Sequence, residues 1–118
     1  MIDWYDRKGN RISIFEAAAL SELPGYRRVA ETIFEDGRKL STVWMGLNHQ
    51  LGQGPPLIFE SMLFSAETRT STLFPDREFH EELGQWRYST EIEALAGHEA
   101  IVAQLRPAIT LDQLITVG

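Results

Sequence analysis

The sequence predicts an α+β fold: an antiparallel sheet with a short N-terminal helix and a C-terminal helix packed on one face. Three observations predict it. Two capping-box patterns, Ser13-Ile14-Phe15-Glu16 and Thr90-Glu91-Ile92-Glu93, lie towards opposite ends of the chain. In such a box the hydroxyl accepts from the third helical amide while the Glu reaches back to the cap, so two orphaned donors are satisfied at once. Between the boxes the hydrophobic period falls to two, and strands gathered together rather than alternating with helices indicate α+β. Asp36-Gly37 then joins two of the period-two segments in a tight hairpin, because a primed turn needs positive φ.

The elements follow in order. Ile2 to Asp6 reads as a short strand and Lys8-Gly9-Asn10 as a turn. The first helix carries Ile14, Ala17, Ala18 and Leu20 and stops at Pro24-Gly25. From Tyr26 to Glu35 a strand places Val29, Glu31 and Ile33 on one face and Arg28, Ala30, Thr32 and Phe34 on the other. Arg38 to Leu47 returns, with Thr42, Trp44 and Gly46 opposite in facing to Ser41, Val43, Met45 and Leu47. Asn48 to Pro56 is a loop. Leu57 to Phe64 is the most hydrophobic segment and reads as a central strand, with Glu60 as a mid-strand carboxylate that needs solvent or a partner.

Residues 65–84 read as a polar excursion, with Thr72 to Pro75 ending a strand and Asp76 to Gly84 forming a helical turn or a longer loop. Gln85 to Tyr88 is a short strand. In the closing helix Ile92, Leu95, Ala96, Val102 and Leu105 form the expected core stripe. Gly97 interrupts it at about 1 kcal/mol relative to Ala, which implies close approach of another backbone. Pro107 is expected to end the helix. The tail 108–118 carries Ile109, Leu111, Leu114 and Ile115, an apolar series that predicts a homo-oligomer contact.

Composition bounds the function. At 118 residues the chain is one domain's worth, 1–118. The hydrophobic share of 43% and charged share of 24% are those of a globular protein. With no cysteine, disulfides, thiolate nucleophiles and cysteine zinc sites are excluded together. A net charge of -6 repels nucleic-acid backbone. The N-terminus lacks a secretory pattern, and no apolar run approaches the ~20 residues needed to span a bilayer, so a cytoplasmic protein with no nucleic acid or membrane partner is expected.

The candidate site centres on Ser41 to His49. Trp44, Asn48 and His49 present an aromatic face beside an amide and an imidazole, a combination that can stack a base and read its edge. The alternative places Trp44 in the core and makes Asn48-His49 a strand cap. Glu60 with Arg87 or Arg28 reads as a cross-strand ion pair, or else as an acceptor for ligand hydroxyls. Arg87 and Tyr88 supply further charge and stacking. His98 beside Gly97 is either a ligand contact near Trp44 or a satisfied buried histidine. His80-Glu81-Glu82 lacks the i,i+4 pair of a helical zinc motif and reads as a solvated acidic loop, so neither metal nor cofactor is expected. No nucleophile elbow or phosphate loop occurs, which favours binding over catalysis; a hydrolase using His49 and Glu60 is the enzymatic alternative.

Arg28-Val29-Ala30, Ser41 to His49, Pro56 to Phe64, Arg87 to Thr90 and Ala96-Gly97-His98 together resemble a group of small proteins of actinobacterial phages and their hosts. Met45, Asn48 and Ser61 depart from that group's Leu, Asp and Thr, and the missing carboxylate at 48 weakens metal or acid/base chemistry there. The resemblance implies a phage-type protein. In size and class the chain is also similar to phage anti-defence proteins that sequester cyclic nucleotides, such as the anti-Thoeris sponges. The expected function is thus sequestration of a small nucleotide-like ligand; the alternative is a module that binds a host or phage protein through a sheet edge or the excursion over 70–83.

Overall fold

The computed structural model describes the backbone of residues 2–117 and the side chains of residues 2–106. Two short strands, β1 (Trp4–Tyr5) and β2 (Arg11–Ile12), pair as an antiparallel hairpin. Helix α1 (Ile14–Glu22) follows. Ser13 caps it with both halves of the predicted box formed: Ser13 Oγ accepts from the Glu16 amide at 3.1 Å, and Glu16 accepts from the Ser13 amide at 3.3 Å. Strands β3 (Arg28–Ile33), β4 (Lys39–Trp44), β5 (Phe59–Arg69) and β6 (Phe79–Tyr88) form a four-stranded antiparallel meander in chain order. Helix α2 (Glu91–Val117) crosses one face and touches all four strands.

Register fixes the two faces. Ala30, Thr42, Ser61 and Trp86 share one row, and Thr32, Leu40, Leu63 and Gly84 the next; these face α2. Glu31, Ser41, Met62 and Gln85 share a row on the opposite, open face, as do Arg28, Val43, Glu60 and Arg87. Arg28 was expected beside Ala30 and Thr32. A register shift between Arg28 and Ala30 moves it to the open face, because the extra residue of a bulge reverses the parity on either side of it.

Three further expectations are corrected. Residues 79–84 are strand, not a helical turn: β5 and β6 continue to pair out to Arg69↔Phe79, so the backbone of the polar excursion is satisfied across the ribbon. The buried stripe of α2 is Ala94, His98, Ile101 and Val102, with Leu105 packed beside it, whereas Ile92 is 80% exposed and Leu95 points outward. The helix turns Ala94 and Gly97 to the sheet, where their small size permits a close approach. Finally, α2 continues past Pro107. Gln104, Leu105 and Arg106 are good helix formers, and a proline biases its predecessor away from helix without forbidding it. The side chains of the expected oligomer series, Ile109, Leu111, Leu114 and Ile115, lie outside the described residues.

The hydrophobic core has two parts. Ala17, Trp44, Ile58, Phe59 and Ala94 form one, joined by Tyr26, Val29 and Tyr88. Phe34, Leu40, Leu63, Ile101 and Val102 form the other. On each element the residue between the two parts is polar: Thr42 between Leu40 and Trp44, Ser61 between Phe59 and Leu63, His98 between Ala94 and Ile101. A buried polar band therefore runs across the sheet beneath α2.

Candidate functional site

The band is a continuous hydrogen-bonded chain with one member on each strand and one on the helix. Thr32 Oγ1 lies 2.8 Å from His98 Nε2, and Thr42 Oγ1 lies 2.7 Å from His98 Nδ1. Thr42 Oγ1 and Ser61 Oγ are 2.6 Å apart, and the Tyr88 hydroxyl donates to Ser61 Oγ at 3.1 Å. Thr42 and Ser61 are fully buried, and His98 is 2% exposed. Among the described residues no buried side-chain polar atom lacks a partner. A fully connected buried network rigidifies the core that holds it, whereas a partly connected one destabilises it. Burial pushes the His98 imidazole below its ordinary pKa of 6.5, and the neighbouring Glu99 carboxylate opposes part of that shift.

Gly97 makes the last link possible. A Cβ at 97 would lie 2.5 Å from both Cζ and the hydroxyl of Tyr88 and would also meet Cε1. The phenol therefore slides under α2 only because residue 97 has no side chain.

Trp44 ends one turn away in a different role. Its ring is 1% exposed, its Nε1 donates to the Tyr5 carbonyl at 2.9 Å, and Tyr26 meets it edge-on at 4.9 Å between centroids. Gly46, at φ +78, lies beneath it: a Cβ there would sit 2.7 Å from Trp44 Cζ2. The space beside Trp44 is filled by backbone, so the ring offers no free face to a base. Beyond Gly46 the chain leaves the sheet to bond β1, with the Tyr5 amide donating to Gly46 and Leu47 bridging Trp4. Asn48 Oδ1 accepts from the amides of Gln50 (2.8 Å) and Leu57 (3.1 Å), and the His49 amide donates to Leu57. The Ser41–His49 stretch thus joins the sheet, the N-terminal hairpin and the 50–57 loop, and Asn48 is spent on holding that loop.

On the open face Glu60, opposite Arg87 by register, accepts from Arg87 Nε at 3.1 Å and from Gln85 Nε2 at 2.5 Å. Arg28 pairs with Glu31 instead. The structure therefore separates the expected site residues into three groups. Tyr88 and His98 belong to the buried band, Trp44, Asn48 and His49 to the hub, and Glu60 and Arg87 to the open face. Comparison with protein-family models, with curated proteins and with solved structures finds no match. The geometry of the chain itself therefore carries the functional reading.

Two features escaped the sequence reading. Arg7 contacts two segments at once: Nε to Glu91 at 2.5 Å, Nη1 to the Tyr26 carbonyl at 2.9 Å, and its guanidinium over the Tyr26 ring. It walls an open cleft of about 840 Å³ at the start of α2, together with Lys8, Asn10 and Thr90. Nothing local marks Arg7, because Glu91 lies 84 positions away.

The second feature is the projecting β5–β6 ribbon. The β4 register ends at Lys39↔Phe64, while β5 and β6 run on together. Leu73 is 82% and Phe74 57% exposed at its tip, and Phe79 and Leu83 are exposed along β6. The ribbon is braced internally: the Glu81 amide donates to Ser65 Oγ, His80 Nδ1 lies 2.7 Å from the Ser65 carbonyl oxygen, and Arg69 pairs with Glu81. At the tip the Phe74 amide donates to Ser71 Oγ, the Arg77 amide to the Phe74 carbonyl, and the Arg77 guanidinium covers the Phe74 ring. Among the described residues no group of three or more His, Asp or Glu is placed to hold a metal, and no helix is long and apolar enough to cross a membrane.

Proposed function

We propose that this chain is a non-catalytic interaction protein that engages a protein partner through the β5–β6 ribbon. The observation that carries the reading is the set of exposed apolar side chains, Leu73, Phe74, Phe79 and Leu83, on a ribbon already fixed by its own hydrogen bonds. Aromatic anchors dominate binding energy at protein interfaces, and a pre-organised element loses little freedom on docking. A ribbon also leaves strand edges able to extend a partner's sheet. The nucleotide-like ligand has less support, since Trp44 is enclosed and Asn48 is occupied. So does hydrolysis, since Glu60 is held by Gln85 and Arg87. Within the phage-type resemblance, the partner is a host or phage protein, or a second copy of the chain.

A photo-crosslinking residue at position 74 tests this against the same probe at Phe15, which is more exposed but lies on α1. The expected result is a product specific to position 74 that disappears in Leu73→Asp. Identical products from both positions would remove the ribbon from consideration. Sedimentation of the same samples separates self-association from a second protein.

A further inference from the structure

Donor counting along the buried band assigns its direction. The chain has five members, Tyr88, Ser61, Thr42, His98 and Thr32. Tyr88 donates to Ser61. If Ser61 then donates to Thr42, and Thr42 to His98 Nδ1, Ser61 and Thr42 each give one hydrogen and receive one. His98 carries its hydrogen on Nε2 and donates it to Thr32. In the reverse arrangement Nδ1–H donates to Thr42 and Thr42 to Ser61. Ser61 Oγ then receives two hydrogens, and its own must leave the chain for another acceptor. In the first arrangement it is the Thr32 hydrogen that leaves the chain, from a partly exposed position, whereas Ser61 is fully buried. A buried hydroxyl turned away from its partners costs free energy, so the first arrangement prevails.

We propose that His98 is a proton-operated latch: as the Nε2–H tautomer it closes the hydrogen-bonded chain that fastens α2 to the sheet, and a second proton on Nδ1 breaks that chain and loosens the helix. The incoming proton takes the Nδ1 lone pair that Thr42 fills. Thr42 must rotate its hydrogen towards Ser61, and Ser61, already accepting from Tyr88, loses its acceptor. One proton thus reverses two buried bonds and leaves the Ser61 hydrogen without an acceptor.

No side chain of the strands around the ring offsets the new charge. The strands packed against α2 present Thr32, Thr42, Ser61 and the Tyr88 phenol to it, all neutral. Of the charged residues of those strands, Arg28, Glu31, Lys39, Glu60, Glu82 and Arg87 sit in rows of the open face, and Glu67, Arg69, His80 and Glu81 lie on the ribbon beyond the β4 register. Glu99 on α2 itself is the carboxylate that favours the cation, and burial outweighs it. The imidazole is accordingly held below its ordinary value of 6.5. The sign follows. Below about pH 6.5 the unfolded chain binds this proton more readily than the folded one. The latch therefore contributes fully above that pH. As pH falls its contribution to the folding constant shrinks, by at most about tenfold per unit, until the folded-state pKa is passed.

Two measurements decide it. Long-range nitrogen–proton NMR on the wild-type chain reads the tautomer and the titration directly. The expected result is Nε2–H at pH 7.5 and a midpoint below 6.5. Amide exchange, corrected for intrinsic rates, is then followed along Ala94–Val102 from pH 7.5 to 4.5 in the wild type and in His98→Gln, which cannot titrate. Faster exchange on acidification is expected in the wild type, with the gap between the two proteins closing. An Nδ1–H tautomer, a midpoint at or above 6.5, or the same pH response in both proteins would overturn the latch. Should His98→Gln fail to fold, the wild-type NMR titration decides alone.

Discussion

Replacing Gly97 by Ala should destabilise the protein although it improves the helix. On an exposed helix the change is worth about 1 kcal/mol in favour of Ala. Here the new methyl would sit 2.5 Å from Tyr88 Cζ and its hydroxyl, and the ring lies between α2 and Ser61 with no slack. Overpacking of this kind costs about 1–3 kcal/mol. Moving the ring also severs the Tyr88–Ser61 bond and leaves a buried hydroxyl short of a partner, a further ~1–3 kcal/mol. After the gain in propensity the net loss is about 3 kcal/mol. Urea unfolding is the assay; with a slope of ~1–3 kcal/mol per molar, the midpoint falls by about 1–3 M. A double-mutant cycle sharpens it. Tyr88→Leu removes both the clashing ring and the hydroxyl, so Gly97→Ala added to Tyr88→Leu should cost far less than Gly97→Ala alone. A neutral or stabilising Gly97→Ala would refute the packing of α2 on Tyr88, and with it the account of the buried band.

Other perturbations separate the remaining parts. Gly46→Ala should lose about 2–4 kcal/mol, because φ +78 strains an L-residue and the methyl meets the Trp44 ring; near-ultraviolet circular dichroism should show the displaced indole. Glu60→Ala should cost about 1–3 kcal/mol in urea unfolding by orphaning the Gln85 amide and Arg87, and an unchanged midpoint would make that pair incidental. Ser13→Ala should cost about 1 kcal/mol through the lost cap, seen as faster amide exchange in α1 with the sheet unaffected. Phe74→Asp should leave the urea midpoint within about 0.5 kcal/mol of wild type, since the exposed tip contributes to contact rather than to folding.

Much of the fold was legible locally. Ser13 and Thr90 cap α1 and α2 at the predicted residues, because a cap is a contest among groups three residues apart; the reciprocal box is complete at Ser13, while at Thr90 the Glu93 carboxylate accepts from the hydroxyl. The hairpin at Asp36-Gly37 forms, though over the three residues 35–37 with only Gly37 at positive φ rather than as a primed turn, and the parity of β4 and β5 holds because period two leaves no freedom once the strand is set. The pairing of Glu60 with Arg87 was legible as one of two cations that an isolated strand carboxylate would seek. The sequence could not say which face of α2 is buried. Ile92 and Leu95 are more hydrophobic than Ala94 and Gly97, but shape rather than hydrophobicity decides where a helix lies against a sheet.

The site divides along the same line. The sequence by itself determined the components: a tryptophan followed by Gly46, hydroxyls at alternate positions of neighbouring strands, and a histidine after a helical glycine. Only the tertiary structure decided their use. Register brought Thr42 opposite Ser61, the fit of Gly97 over Tyr88 turned His98 inward, and the continuation of β5 and β6 past β4 made the polar excursion a ribbon. These outcomes depend on groups tens of residues apart meeting at van der Waals distance. Local propensity carries no record of such meetings, because each partner alone is compatible with many others.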